Sequence, residues 1–329
     1  TARRGAVLAG WRQNAVAGDA LDLRYRSPRR DPPPGRPHAR LKIGACGYPH
    51  VGDRHHPRPG GTVIDIAPYR YDPSQPVELS QWDGDDDGGL SKDDTKDDTA
   101  ELSERLVELQ HRLFAQKEHR VLVVIQATDT GGKDSTIRRV FGPLNPAGVR
   151  VTGFTKPSED ELAHDYLWRV HPHAPGDGMI AVFNRSHYED VLAVRVHDLV
   201  PEARWRRRYQ HLREFERMLT DEGTTVIKFF LHITADEQRQ RLQDRIDDTT
   251  KWRQFNLADL TEAERWDHHQ AAFSEVLSQT SDPVPWWVIP AYHKWFRDYL
   301  VSKVLVGTLE GLNLTYPEPE EDLTGVTIT

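Results

Sequence analysis

From Val121 to Ile289 the chain alternates between short apolar runs and longer stretches of mixed polarity. Five runs, at 121–126, 149–154, 179–183, 225–231 and 286–289, are short and largely apolar. Such runs predict strands covered on both faces, as in a parallel sheet. Helical patterns lie between them, near 135–141, 158–170, 187–196, 203–222 and 236–247, with another at 261–279. Ahead of the first run, Leu102, Leu106, Val107, Leu109, Leu113 and Phe114 recur at the spacing of an amphipathic helix over Thr99 to Lys117. Val63 to Glu78 reads as extended. The alternation predicts a doubly wound, three-layer α/β sandwich with ligands at the carboxyl ends of its strands. More than fifty residues separate the fourth run from the fifth. That is too long for a simple crossover, so part of it, about 236–270, is expected to be a mobile lid.

Composition narrows the setting. In the 329-residue chain the segment 1–62 is rich in Arg, Pro and Gly without periodicity, and is expected to be disordered. Residues 63–315 would be the folded domain and 316–329 a tail. A net charge of −8 argues against a general nucleic-acid or anionic-membrane coat. The one cysteine, Cys46, excludes an intramolecular disulfide and any zinc site needing two thiolates. Apolar stretches such as Val226 to Ile233 are too short to cross a bilayer. No apolar core with a cleavage site follows the first arginines, so a soluble, cytoplasmic protein is expected. His50, His55 and His56 suit incidental histidines of a Pro-rich segment better than a metal site. The acidic stretch 82–98 has some calcium-loop character but lacks the glutamate at position twelve, which favours a solvated loop.

Candidate chemistry begins after the first run. Val121 to Arg139 reads VLVVIQATDTGGKDSTIRR: strand, glycine turn, lysine, helix start. Gly131 and Gly132 would let backbone N–H groups approach a phosphate. The helix opening at Asp134 and Ser135 adds partial positive charge, and Lys133 adds a full one. The strict GxxxxGK[ST] pattern is broken by Ala127 and Asp134. A carboxylate at Asp129 would repel phosphate unless a divalent cation lies between, which makes it a candidate metal ligand; a turn-capping aspartate is the alternative. The third run ends Phe183-Asn184-Arg185, beside the first strand in such a sheet. Arg185 could clamp phosphate bidentately, while Asn184 and Glu189 are candidates for metal or its water. Glu189 and Asp190 could equally be first-turn helix acids. Arg241, Arg245, Lys251 and Arg253 in the suspected lid, with Arg138, Arg139 and Lys156, suit a polyanion; interleaved carboxylates leave a solvated basic face open. The run Arg204–Arg208 spreads over several helix faces, which argues against an RNA surface.

The chain resembles the family-2 polyphosphate kinases from about Ile64 to Leu309. The likeness is carried by QATDTGGKDSTIRRVFGPLNPAGVRV, FNRSHYEDVLAVRVH, IKFFLHITADEQRQRLQDRI, KWRQFNL and VIPAYHKWF. It implies a P-loop-kinase-like, thymidylate-kinase-like fold with a helical lid. It also implies phosphoryl transfer between inorganic polyphosphate and an adenine or guanine nucleotide, with magnesium or manganese. On this resemblance Asp129, Lys133 and Arg185 are catalytic, and Asp129, Asn184 and Glu189 hold metal. Gly131, Gly132, Asp134, Ser135, Arg138, Lys156, Arg241, Arg245, Lys251 and Arg253 meet the phosphates. AMP, ADP or both would accept, and a homodimer or homotetramer is implied. Asn184 stands where some relatives have aspartate, and His293 where some are acidic. An ATP-dependent nucleoside monophosphate kinase and a non-catalytic polyphosphate- or nucleotide-binding protein are the rival readings.

Overall fold

Each of the five apolar runs forms a strand: β1 (Arg120–Ala127), β2 (Val149–Gly153), β3 (Ile180–Asn184), β4 (Thr224–His232) and β5 (Trp286–Pro290). They pair in parallel in the order β2-β3-β1-β4-β5. This computed structural model describes residues 64–74, 78–319, 321–322 and 326–328, within the unit Tyr48–Thr329. The expectations for residues 1–62, including His50, His55, His56 and Cys46, lie outside the described residues. The helices are α1 (Lys96–Gln116), α2 (Lys133–Thr136), α3 (Glu159–Ala163), α4 (Ala193–Val196), α5 (Glu202–Asp221), α6 (Ala235–Asp247), α7 (Ala258–Glu264), α8 (Trp266–Thr280) and α9 (Lys294–Gly311).

Strand β1 shows why its sequence lacks alternation. Val121, Val123 and Ile125 face one core while Leu122 and Val124 face another, and all five are fully buried. The first core joins the sheet to α1 and α9 through Leu106, Leu109, Leu113, Leu300, Val304 and Leu305. The second joins it to α5 and α8 through Trp205, Leu212, Phe215, Phe273 and Leu277. Truncating one of these leucines, such as Leu113, to alanine removes its burial and leaves a cavity, a cost of about 2–5 kcal/mol. Helices on both faces of a parallel sheet make the expected three-layer sandwich.

Several local expectations differ from the structure. The helix expected over 158–170 stops at Ala163, although Ser158 and Glu161 form a full capping box at its start. After it Asp165 Oδ1 accepts from Leu167 N and closes a turn, and Pro172 follows. The pattern at 261–279 is two helices, α7 and α8, meeting at Arg265. Segment 187–196 is a 3₁₀ turn, His187–Asp190, followed by the single turn α4. The stretch 64–74 has a 3₁₀ turn and one antiparallel bridge, Arg70 to Trp287, in place of an extended strand. In the acidic stretch Asp83, Asp86 and Asp87 accept from backbone N–H groups two residues on, the Asx-turn use of aspartate. Of the basic run, Arg206 pairs with Glu202 and Glu275, and buried Arg208 pairs with Asp190. Among the described residues no helix is long and apolar enough to cross a membrane.

Candidate active site

Strand order creates the site. The chain leaves β1, passes β3 to form β2 at the edge, and returns, so a crevice opens at the carboxyl ends of β1 and β3. Ile125 is paired with Asn184, and Arg185 N donates to Ile125 O at 3.2 Å, extending the ladder into the loops. The glycine turn therefore stands beside Asn184 and Arg185.

The turn needs its glycines. A Cβ on Gly131 would lie 2.6 Å from Ala127 Cβ and 3.0 Å from Thr128 O. Gly132 has φ +99° and an added Cβ would collide with Arg297 Nη1. Ala127, which breaks the strict pattern, is the residue against which Gly131 closes. Lys133 opens α2, which continues through a π-type turn, Ile137–Phe141. Lys133 Nζ donates to Ala127 O at 3.0 Å and Thr128 O at 3.4 Å. Burial, and then the Arg185 charge, push this ammonium below the ordinary lysine range, against the opposing pull of Asp129, Glu189 and Asp134.

Arg185 sits at φ +63° and Thr130 at φ +62°, left-handed conformations that cost non-glycine residues about 1–2 kcal/mol each. Arg185 Nη2 donates to Asp129 Oδ1 at 3.2 Å across the crevice. Asn184 Nδ2 donates to Asp134 Oδ1 at 2.6 Å, which leaves its amide oxygen for another partner. The backbone after Arg185 is anchored in the second core. Tyr188 Oη donates to Glu216 Oε1 at 2.7 Å, and His187 Nε2 lies 3.3 Å from the same oxygen. Lys228 Nζ donates to Glu216 Oε2 at 2.8 Å, Thr280 O at 2.6 Å and Tyr188 Oη at 2.9 Å. Every side chain of this cluster is buried; burial holds the His187 imidazole below its ordinary pKa, against the pull of Glu216.

These elements line a cavity of about 630 Å³. Of the residues named from sequence it gathers Asp129, Gly131, Gly132, Lys133, Asp134, Ser135, Arg138, Asn184, Arg185, Arg241, Arg245 and Lys251. Lys156, Glu189 and Arg253 are not on its wall. Arg241 is on the wall, but its guanidinium is occupied. Nη1 donates to Thr130 O at 2.9 Å, Nη2 to Ala291 O at 2.6 Å and Tyr292 O at 3.1 Å, and Nε to Glu237 at 2.5 Å. It straps α6 to the glycine turn. Arg245 donates to Gln254 O at 2.9 Å and Lys251 pairs with Asp248 at 3.0 Å, so α6 and the turn behind it present cations already balanced in part. Sequence reasoning missed Lys294 and Arg297, both on the wall at the start of α9. The only local signal was basic residues one helical turn apart after VIPAYH.

A parallel α/β sheet whose glycine turn leads into a lysine-bearing helix, with an arginine closing on the turn's carboxylate, has the layout of the P-loop-kinase-like folds. The sequence profile of Polyphosphate kinase 2 (PPK2) matches residues 89–316, and the chain belongs to that family. It is 53% identical over 255 residues to an AMP/ADP-polyphosphate phosphotransferase of Meiothermus ruber, covering 77% of this chain and 96% of the relative. It is 40% identical over 269 residues to an ADP-polyphosphate phosphotransferase of Rhodopseudomonas palustris, covering 78% and 93%. The crystal structure of Polyphosphate Kinase 2 from Arthrobacter aurescens TC1 superposes with a TM-score of 0.76 at 38% identity, covering 78% of this chain and 93% of that one.

Proposed function

We propose that this protein transfers phosphoryl groups between inorganic polyphosphate and a nucleotide, with AMP or ADP as acceptor. The observation that carries this reading is one cavity whose wall bears Lys133, Arg138, Arg185, Arg241, Arg245, Lys251, Lys294 and Arg297, twice as many cations as its carboxylates Asp129, Asp134, Asp244 and Asp259. So many cations around a single opening suit a ligand with a charge on every unit. The names of the relatives support the same substrates.

In the transfer, an oxygen of the acceptor's last phosphate forms a bond to the terminal phosphorus of the chain. The bridging P–O bond of that phosphorus breaks, and the shortened chain leaves with the electron pair. Positioning and charge neutralisation supply the rate enhancement. The glycine turn orients phosphate oxygens with backbone N–H groups, and Lys133 and Arg185 neutralise charge on the transferred group. For this the Lys133 ammonium leaves the carbonyls of Ala127 and Thr128, and Arg185 exchanges Asp129 for phosphate.

The donor set fits a magnesium ion. No three His, Cys, Asp or Glu side chains converge into a ready-made cage among the described residues. A carboxylate and an amide oxygen beside a phosphate seat suit a cation that keeps water and takes substrate oxygens. Asp129 and Asn184 would hold it, with Glu189 set behind them. When bound, it would draw negative charge from the phosphate oxygens. Residues 236–270, which carry Arg245, Lys251 and Asp259 on the cavity wall, would act as the lid that excludes water.

The test is nucleotide formation by purified protein with magnesium, long-chain polyphosphate and either AMP or ADP, without ATP. Product that appears only with polyphosphate is expected, and the acceptor that gives it fixes the preference. Product from ATP plus AMP alone would transfer the reading to an ordinary monophosphate kinase. Binding without product in either mixture would transfer it to a non-catalytic binding protein.

A further inference from the structure

Helix α9 begins at the cavity without a side-chain cap. His293 at its N-cap makes no capping hydrogen bond, so among the described residues the positive end of this 18-residue helix stands without a side-chain cap. Lys294 and Arg297 lie one turn apart on that end and both line the cavity. Arg297 is fully buried. Its Nε and Nη2 donate to Asp298 Oδ1 at 2.9 and 2.7 Å, while Nη1 has no hydrogen-bond partner among the described residues and lies against the open side of Gly132. A buried guanidinium with an unused donor is costly, and a purely structural role would be met by a neutral side chain of similar shape.

Lys294 differs from the paired cations around it on the wall. Arg241, Arg245 and Lys251 have carboxylate partners in Glu237, Asp259 and Asp248. Lys294 is exposed and forms no ion pair among the described residues. Partial burial, then Arg241 and Arg297, push its ammonium below the ordinary lysine range; Glu237 opposes and Lys251 adds to the push. An anion placed here would relieve that repulsion.

We propose that the first turn of α9 is a second phosphate seat, with Lys294 in contact and Arg297 as a fixed charge behind it. It would take one phosphoryl group of a phosphoanhydride chain while a neighbouring group rests on the glycine turn. This rests on the phosphoryl-transfer reading above. Its ligand is a phosphoanhydride, which either polyphosphate or the nucleotide can supply.

Binding of inorganic tripolyphosphate and of ADP, each titrated alone into the full chain by calorimetry, tests the seat without turnover. Lys294→Ala, at an exposed position, is expected to weaken one of the two about tenfold, the loss of one charge-assisted contact. Lys294→Arg should restore most of it, and Arg204→Ala, on α5, should leave both affinities unchanged. A loss confined to tripolyphosphate assigns the seat to the polymer, and one confined to ADP assigns it to the nucleotide. Wild-type affinity of Lys294→Ala for both ligands, or a loss that Lys294→Arg fails to restore, overturns the proposal. Failure of the ATP-free product assay would remove the transfer reading and leave this binding result standing.

Discussion

Replacing Lys228 by methionine removes the lysine charge in direct contact with Glu216 inside the second core, the only full positive charge touching it among the described residues. Both side chains are fully buried, 2.8 Å apart. Burial alone pushes the Glu216 carboxyl up, but Lys228 and His187 outweigh it and hold the group below its ordinary value. Lys228→Met leaves an uncompensated buried carboxylate, a cost of about 3–5 kcal/mol. At roughly 2–4 °C per kcal/mol the thermal midpoint should fall by about 10 °C. The companion Lys228→Met/Glu216→Gln removes both charges and keeps an acceptor for Tyr188, so it should recover at least half of the loss. The pH dependence has a definite sign. In the wild type the depressed Glu216 pKa contributes stability above its unfolded value, lost as pH falls through the folded value. In Lys228→Met burial dominates and the folded pKa lies above the unfolded one. The variant's deficit should then be smallest below the wild-type folded value, grow as pH rises toward the variant's new folded pKa, and level off above it. Urea unfolding of the three proteins at pH 5 and pH 8 measures all of this. A single-variant cost below about 1 kcal/mol, or a double variant no better than the single, would refute the reasoning.

Three further outcomes follow from the site. Lys133→Ala should lower turnover by about 10²–10³-fold, because it removes preorganised charge from the transferred group; steady-state rates with a circular-dichroism check on folding measure it. Gly132→Ala forces a side chain to φ +99° and against Arg297 Nη1, so it should cost about 2 kcal/mol or more in denaturant unfolding and depress turnover. Arg241→Met breaks the bonds to Thr130, Ala291 and Tyr292 and leaves Glu237 unpaired, a stability loss of about 2–4 kcal/mol. Because those donors face main chain, its KM for polyphosphate should rise less than that of Lys294→Ala.

What was legible in the sequence was what is local. Each strand of a doubly covered parallel sheet must be apolar on both faces, so β1 to β5 announced themselves with boundaries off by at most one residue. The glycine turn and the pair Asn184-Arg185 were readable for the same reason, since each sits directly at a strand end. Helix α9 was not. It is buried on several sides, with Phe296, Arg297, Tyr299, Leu300, Val301, Val304 and Leu305 all inside, so it lacks the polar stripe that marks a surface helix. Missing α9 meant missing Lys294 and Arg297, whose place in the site depends on the β5 to α9 turn. The expected helix over 158–170 failed because Asp165 formed its own turn and Arg169 is buried, its Nη2 donating to Thr155 O at 3.0 Å. Arg241 was read as a substrate cation because charge is visible in a sequence, whereas the three carbonyls that occupy it come from distant segments.

The most direct test of the central claim follows the phosphorus itself. Phosphorus NMR of polyphosphate with the preferred nucleotide acceptor and magnesium, in the absence of ATP, should show chain phosphate lost mole for mole as nucleotide anhydride appears. Lys133→Ala should slow both changes together, by the same factor of about 10²–10³, at the same enzyme concentration. Release of inorganic phosphate without nucleotide product, or nucleotide phosphorylation while the chain signal stays constant, would contradict direct transfer from polyphosphate.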